Sequence, residues 1–74
     1  MATLPILSGK AVVNAFERDG WVKVRQRGSH VIMVKDGSMV TLSVPDHKIV
    51  AKGTLRSLIR ASGLTVDEFI ALNR

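Results

Sequence analysis

Apolar residues near the start of the chain recur at the spacing of a helix with one buried side. Between residues 9 and 18 they are Ala11, Val12, Ala15 and Phe16. The Ser8 hydroxyl can accept a hydrogen bond from the first turn, and Asp19-Gly20 is a typical helix stop. The pattern therefore predicts a first helix over Gly9–Arg18.

A strict alternation of apolar and basic residues follows this helix. From residue 21 to 27, apolar positions alternate with basic ones; the apolar residues are Val22 and Val24, and the basic residues are Lys23, Arg25 and Arg27. A two-residue period is typical of a half-buried strand, so one face of this strand is expected to be basic. Turn residues at 28–29 and 36–38 separate it from two further strands, over residues 30–35 and 39–44. The three strands are expected to form an antiparallel meander.

Helical spacing returns after the third strand, which Pro45 ends. A helix is predicted over residues 54–61, and its inner face carries Leu55, Leu58, Ile59 and Ser62. Gly63 can adopt the left-handed conformation that ends such a helix. A Thr65-x-x-Glu68 capping box then opens a short last helix. The apolar residues of that helix are Val66, Phe69, Ile70 and Leu72.

These elements predict an α+β fold in a single domain over residues 1–74: a helix, a three-stranded antiparallel sheet, a second helix and a short C-terminal helix (αβββαα). Helices on one face of such a sheet bury that face and leave the other in water, an arrangement that resembles a double-stranded-RNA-binding domain. A domain of this size buries only about 60% of the surface of its unfolded chain, so a partner or self-association is expected to add apolar contact.

Positive charge is concentrated in the middle of the chain. Eleven Lys and Arg stand against six Asp and Glu overall, and residues 23–60 contain eight of the bases and two of the acids. A local excess of this kind suits phosphates, a membrane surface or an acidic partner, and it also occurs on surfaces that only keep a protein soluble. We expect phosphate binding, by Lys23, Arg25, Arg27, Lys35, Lys48, Lys52 and Arg56. With one Trp and two Phe, an aromatic platform for stacked bases is not expected.

Other features narrow the class of protein. Cysteine is absent, which excludes disulfides and thiolate metal sites. No run reaches the roughly 20 apolar residues of a membrane span, and the N-terminal segment lacks the basic and apolar regions of a signal peptide. A soluble cytoplasmic protein is the expectation.

Two histidines, His30 and His47, are the only side chains of a type whose ordinary pKa lies near neutrality. His30 follows a Gly-Ser turn and comes shortly after Arg25 and Arg27, so an imidazole and two guanidiniums could face one phosphate. A positioned histidine moves protons and nearby cations stabilise a developing anion, which are the requirements of metal-free RNA cleavage. A solvated turn residue is the alternative role for His30.

His47 lies in a predicted loop, where a structural role or a hydrogen bond with Asp46 is the simpler interpretation. Together, His30, His47 and Asp46 lack the local ligand spacing of a zinc site. We therefore expect neither a metal nor another cofactor. Met33 and Met39 are expected to fill the core or an interface.

Three segments resemble the HicA family of bacterial toxins, in a match that runs from about residue 8 to residue 69. They are Arg25-Gln26-Arg27-Gly28-Ser29-His30, Val44-Pro45-Asp46-His47, and the stretch that begins Lys52-Gly53-Thr54-Leu55-Arg56. The Gly-Ser-His turn alone is a weak signal, whereas the three segments in this order and spacing are fairly specific.

The resemblance implies a double-stranded-RNA-binding-like fold and a toxin that cleaves messenger RNA and is neutralised by a HicB-type antitoxin. In this resemblance, His30 corresponds to the catalytic histidine of the family, and Gly28 and Ser29 correspond to the turn that positions it. His47 corresponds to a second histidine, an auxiliary candidate. A homo-oligomer and a toxin–antitoxin hetero-oligomer both stay open.

Two other functions remain open at this point, as does a toxin that is inactive because it stays bound to its antitoxin. The same fold and basic face could hold structured RNA without cutting it, because RNA duplexes are read largely through shape and backbone. Two short helices joined by a Gly-containing turn also occur in helix-turn-helix DNA-binding proteins, although the last helix here carries Asp67 and Glu68 near its start. RNA scission that depends on His30 would separate the enzyme from the binding module.

Overall fold

Six elements follow one another in the predicted order in this computed structural model, which describes residues 3–73. They are α1 (Gly9–Arg18), β1 (Val22–Arg27), β2 (His30–Val34), β3 (Leu42–Pro45), α2 (Lys52–Ser62) and α3 (Val66–Leu72). The strands pair antiparallel in the order β1-β2-β3. The predicted α+β meander is therefore confirmed. Within residues 3–73, no helix has the length and apolar character needed to cross a bilayer.

The two predicted capping residues act as the sequence indicates. The Ser8 hydroxyl accepts a hydrogen bond from the Ala11 amide at 3.1 Å. At α3, the Thr65 hydroxyl accepts from the Glu68 amide while the Glu68 carboxylate accepts from the Thr65 amide, so the capping box is complete. Because each bond satisfies an amide that a helix leaves unpaired, local sequence defines both helix starts.

One face of the sheet is buried under the helices. Val31 and Met33 of β2 lie on this face, as do Leu42 and Val44 of β3. The helices complete the core with Val12, Val13, Ala15, Phe16, Leu55, Leu58 and Ile59. The alternate residues of β2 are exposed or half-buried, so the opposite face meets solvent. A sheet covered on one side only is what the predicted alternation requires.

Phe16 joins three parts of the chain through aromatic contacts. Its ring lies 6.3 Å from that of Trp21 at 68° and 5.1 Å from that of Phe69 at 53°. Aromatic pairs favour such edge-on and tilted contacts, and here the contacts hold α3 against α1. The Arg18 guanidinium adds a hydrogen bond to the Leu72 carbonyl at 2.6 Å. All three aromatic side chains of the chain are buried, so none is available to stack on a base.

The third strand begins later than predicted. β3 starts at Leu42 rather than at residue 39, and Met39 is fully exposed rather than part of the core. A local turn is the reason. The Ser38 hydroxyl accepts a hydrogen bond from the Val40 amide at 3.1 Å, and such local bonds compete with strand pairing.

The second helix begins two residues before its predicted start. The Leu55 amide donates to the Ala51 carbonyl at 2.9 Å, so Lys52 and Gly53 belong to the first turn. Ala51 has no side-chain acceptor, and the sequence therefore contains no capping signal at this position. The helix ends as predicted, with Gly63 in the left-handed region at a φ of 83°.

The first strand departs from the predicted half-buried pattern. All of its residues are exposed, and its register with β2 shifts between Lys23 and Arg25. Lys23 lies opposite Met33 and Arg25 lies opposite Ile32, which makes Val24 the extra residue of a β-bulge. Arg25 and Arg27 share one face as expected, but the expectation that Lys23 lies with them is wrong. A shift of one residue moves the following side chains to the other face of the sheet.

The start of α1 lies against the segment that follows β3. The Gly9 amide donates a hydrogen bond to the His47 carbonyl at 2.8 Å. A Cβ at Gly9 would meet the carbonyl oxygen of Pro45 and would lie 2.8 Å from the Cα of Asp46. Only a residue without a side chain permits this approach.

We expect Gly9→Ala to lower the free energy of unfolding by about 1–3 kcal/mol, because the added methyl group meets backbone atoms. Gly53→Ala is the matched control, since no atom lies within 4 Å of its would-be Cβ. Alanine stabilises a helix over glycine by about 0.5–1 kcal/mol. Urea unfolding should therefore show that the free energy of unfolding falls in Gly9→Ala and rises in Gly53→Ala. Two equally stable variants would contradict the close approach of the backbone to Gly9.

Candidate functional site

The turn before His30 is held on two sides. Gly28 has a positive φ of 57° and Ser29 does not, which is the pattern of a tight type II′ hairpin turn. The Ser29 carbonyl accepts a hydrogen bond from the Asp46 amide at 2.6 Å. The Gly28 carbonyl accepts one from Nε2 of Gln26 at 3.3 Å. His30 therefore opens β2 directly after a turn that both the sheet and the segment following β3 support.

His30 lies on the face of the sheet that carries no helix, which we call the open face. It includes Arg25, Arg27, His30 and Ile32. Val31 and Met33 are buried under the helices, so the alternate residues of β2 point the other way. His30 pairs with Arg27 of β1 and with Pro45 of β3. It is exposed and, within residues 3–73, its ring forms no hydrogen bond or ion pair, so both ring nitrogens are open to a ligand.

Two arginines flank His30 on the open face. Arg27 is its direct partner across the strand pair, and Arg25 lies opposite Ile32, further along the same pair of strands. Directly opposed residues have Cβ atoms roughly 4.5–5.5 Å apart and diagonal neighbours roughly 7–8 Å, within reach of a long side chain. The imidazole and the two guanidiniums that were predicted to face one phosphate thus share one surface.

The other predicted basic residues lie elsewhere. Lys23 is opposite the buried Met33, which puts it on the helix side of the sheet. Lys35 follows the far end of β2 and forms an ion pair with Asp19 at 3.1 Å. The remaining three are exposed, in the loop after β3 and on α2: Lys48, Lys52 and Arg56. The structure therefore places two of the seven predicted cations on the same face as His30.

His47 follows Pro45, the cross-strand partner of His30, by two residues. It lies with Ser8, Lys10 and Lys48 around a shallow depression at the start of α1. No hydrogen bond joins the two histidines in the part of the chain that the structure describes. Across the same residues, no group of three or more His, Asp and Glu side chains is placed to hold a metal ion.

A polar recess between α1 and β1 is absent from the sequence-based prediction. This α1–β1 cleft has a volume of about 310 Å³, and its polar lining residues are Lys10, Asn14, Glu17, Lys23, Gln26 and Asp46. In the sequence, Lys10, Asn14 and Gln26 are ordinary solvent-facing positions. The bulge at Val24, which no residue pattern signals, brings Lys23 to the same face as Gln26.

Known proteins resemble this chain in sequence and in fold. A family model described as HicA toxin of bacterial toxin-antitoxin matches residues 9–64. A solved structure described as a toxin-antitoxin complex from Streptococcus pneumoniae is similar, with a TM-score of 0.70 and 30% sequence identity. The alignment covers 78% of this chain and 98% of that one. A comparison with curated protein sequences finds no match.

The family match spans all three strands, the Gly28-Ser29-His30 turn and the whole of α2. It covers well over half of the chain, and the similar solved structure has the same fold over nearly its entire length. The chain belongs to the HicA toxin family of bacterial toxin–antitoxin systems.

Proposed function

We propose that this chain is a toxin that cleaves messenger RNA as a metal-independent endoribonuclease, with His30 as the catalytic residue. One observation carries the proposal: an exposed imidazole lies beside two exposed guanidiniums, directly after a turn held by hydrogen bonds. Membership of a toxin family supports an activity that harms a cell, and this group of side chains supports the chemistry.

RNA carries its own nucleophile for this reaction. The 2′-oxygen loses its proton and attacks the adjacent phosphorus, the P–O5′ bond breaks, and the leaving 5′-oxygen takes up a proton. The products are a 2′,3′-cyclic phosphate and a 5′-hydroxyl, so the step balances without a co-reactant. His30 carries one of the two proton transfers and water the other. A positioned acid or base contributes roughly 10²–10⁴-fold to the rate.

Arg25 and Arg27 supply positive charge to the five-coordinate phosphate. Guanidinium groups donate paired N–H bonds to phosphate oxygens, and fixed cations stabilise an anion where its charge develops. Both side chains are exposed, so an RNA strand reaches them without any rearrangement of the core. The exposed cations Lys48, Lys52 and Arg56 lie outside the open face and provide further positive charge for the RNA backbone.

An RNA-binding module without catalysis is the main alternative, because the same cations would attract RNA in either case. The observation that favours the enzyme is the position of the unengaged His30 ring beside two guanidiniums, since proton transfer needs a free ring nitrogen next to the cations that hold the phosphate. The DNA-binding alternative has less support. The first turn of α3 carries Asp67 and Glu68, which repel phosphates.

We expect His30→Ala to reduce RNA cleavage by roughly 10²–10⁴-fold, because no other imidazole shares the open face. His47→Ala is the matched control and should retain most of the activity, since the depression that His47 lines includes neither His30 nor the two arginines. The purified variants are incubated in EDTA with single-stranded RNA and with an all-deoxy strand of the same sequence. Fragments are followed on a gel.

The unmodified chain should cut the RNA and leave the all-deoxy strand intact, because the deoxy strand has no 2′-hydroxyl. If the unmodified chain binds RNA but never cuts it, the binding module replaces the enzyme. Equal cutting by the unmodified chain and His30→Ala would remove His30 from the mechanism.

The Gly28-Ser29 turn gives a second test. Gly28→Ala and Gly37→Ala both place a methyl group on a left-handed residue with open space around it. Each should therefore lower the stability, by about 1–3 kcal/mol. Only Gly28→Ala should also slow RNA cleavage at a temperature where both variants are folded, because that turn alone precedes His30. Equal cleavage by the two variants would mean that the turn does not position the histidine.

We further propose that a HicB-type antitoxin neutralises this chain by forming a complex with it. The similar structure from Streptococcus pneumoniae is described as a toxin-antitoxin complex. This chain also exposes large apolar side chains that a partner can cover, among them Val22, Val24, Val34, Met39 and Val40. Removal of apolar surface from water is the main favourable term in protein association.

Expression of the chain in bacterial cells should arrest growth, and His30→Ala at the same protein level should not. Co-expression of the cognate antitoxin should restore growth, and the two proteins should purify together. The protein level is checked by immunoblot. Growth arrest by His30→Ala as strong as that of the unmodified chain would separate the toxicity from the proposed chemistry.

A further inference from the structure

The α1–β1 cleft is a recess of about 310 Å³ on the helix side of the sheet, distinct from the open face. The open-face residues Arg25, Arg27 and His30 do not line it. Its volume lies at the lower end of the range of small-molecule sites, roughly 300–1,000 Å³. It can therefore hold a group of the size of one nucleobase.

The cleft exists because two elements turn polar residues toward each other. Lys10, Asn14 and Glu17 are spaced four and three residues apart, so they share one side of α1. On β1, Lys23 and Gln26 lie opposite residues of β2 that are buried under the helices, which turns both toward α1. Without the bulge between them, these two β1 residues would lie on opposite faces.

The charges of the cleft balance. Lys10 and Lys23 stand against Glu17 and Asp46, and within the described residues none of these four side chains forms an ion pair or a hydrogen bond. A balanced set of donors and acceptors does not favour a phosphate, whose recognition requires net positive charge. It suits a neutral group with donors and acceptors of its own.

A nucleobase is such a group. Asparagine and glutamine side chains pair with base edges through one donor and one acceptor, and carboxylates accept hydrogen bonds from base amino groups. Asn14, Gln26 and Glu17 provide these groups in the cleft, over an apolar floor that includes Val31. Because every aromatic residue of the chain is buried, recognition of a base here rests on hydrogen bonds rather than on stacking.

The cleft borders the turn that positions His30. Nε2 of Gln26, a cleft residue, donates to the Gly28 carbonyl at 3.3 Å. The backbone amide of Asp46, another cleft residue, donates to the Ser29 carbonyl at 2.6 Å. An RNA strand that passes over this turn would place a phosphate on the open face and a neighbouring base in the cleft.

We propose that the α1–β1 cleft binds one unpaired RNA base next to the phosphate that is cleaved, and thereby sets the base preference of the toxin. The inference rests on the proposed ribonuclease function and adds a specificity site to it. Asn14 and Gln26 read the base edge, and Glu17 selects for a base with an amino group.

The test uses the full-length His30→Ala chain, labelled with ¹⁵N, so that binding is measured without cleavage. AMP, CMP, GMP and UMP are titrated separately, and ribose 5-phosphate serves as the probe without a base. Amide shifts should concentrate at residues 10–17 and 23–26, the four nucleotides should differ in affinity, and ribose 5-phosphate should leave these amides unshifted.

Asn14→Ala in the same background should weaken the tightest nucleotide by roughly five- to hundredfold, the range expected for the loss of a paired contact to a base edge. Ser57→Ala is the matched control, because it also replaces a small exposed polar residue of a helix, but outside the cleft. It should change the affinity less than twofold, by roughly the precision of such a titration.

Three results would overturn the inference. Shifts confined to the open face would place nucleotide binding there. Equal binding of ribose 5-phosphate and the four nucleotides would make the cleft a phosphate site. Shifts of the cleft amides on addition of the antitoxin, with none from any nucleotide, would assign the cleft to the protein partner.

Cleavage of a randomised RNA by the unmodified chain provides the separate readout for the proposed function. Sequenced fragment ends should show an enriched base beside the cut, and Asn14→Ala should flatten this preference more than it lowers the total rate. RNA cleavage without any base preference would refute the specificity site and would still support the ribonuclease proposal. Nucleotide binding in the cleft without any RNA cleavage would refute the ribonuclease proposal and support the base-binding site.

Discussion

The backbone that follows β3 is hydrogen-bonded to the two regions of the chain that build the site. The Asp46 amide bonds to the Ser29 carbonyl at 2.6 Å, and the His47 carbonyl accepts from the Gly9 amide at 2.8 Å. These bonds tie the hairpin turn, the end of the sheet and the start of α1 into one unit. Since His30 opens β2 directly after that turn, the position of its backbone depends on this contact. Gly9 permits it because a side chain there would collide with the backbone.

The bulge in β1 gives the two faces of the sheet different chemistry. On one side, Arg25 and Arg27 accompany His30 on an open, positively charged surface. On the other, Lys23 and Gln26 meet α1 in a recess with balanced charge. A regular strand would mix these residues, because alternation would put Lys23 on the same face as the two arginines. One inserted residue therefore separates a surface suited to phosphates from a recess suited to a base.

A chain of this size has few large side chains, and the core uses all of its aromatic ones. Phe16, Trp21 and Phe69 hold α3 against α1. The proposed recognition of RNA therefore relies on charged and amide groups, whose contacts depend on salt and on geometry. The same limit on core size leaves large apolar residues such as Met39 on the surface. The proposed complex with an antitoxin would cover such residues.

Local sequence by itself determined the order of the elements, the bounds of α1, both side-chain caps, the Gly28-Ser29 turn and the candidacy of His30. Each of these depends on neighbouring residues: apolar spacing, a hydroxyl at a helix start, or a glycine where φ is positive. The tertiary structure alone decided that β1 is bulged, that Lys23 leaves the basic face, and that Asn14 and Gln26 share a cleft. It also decided that Gly9 must lack a side chain. These features arise where segments that are distant in the sequence pack together. A local residue pattern does not indicate which two segments will be in contact.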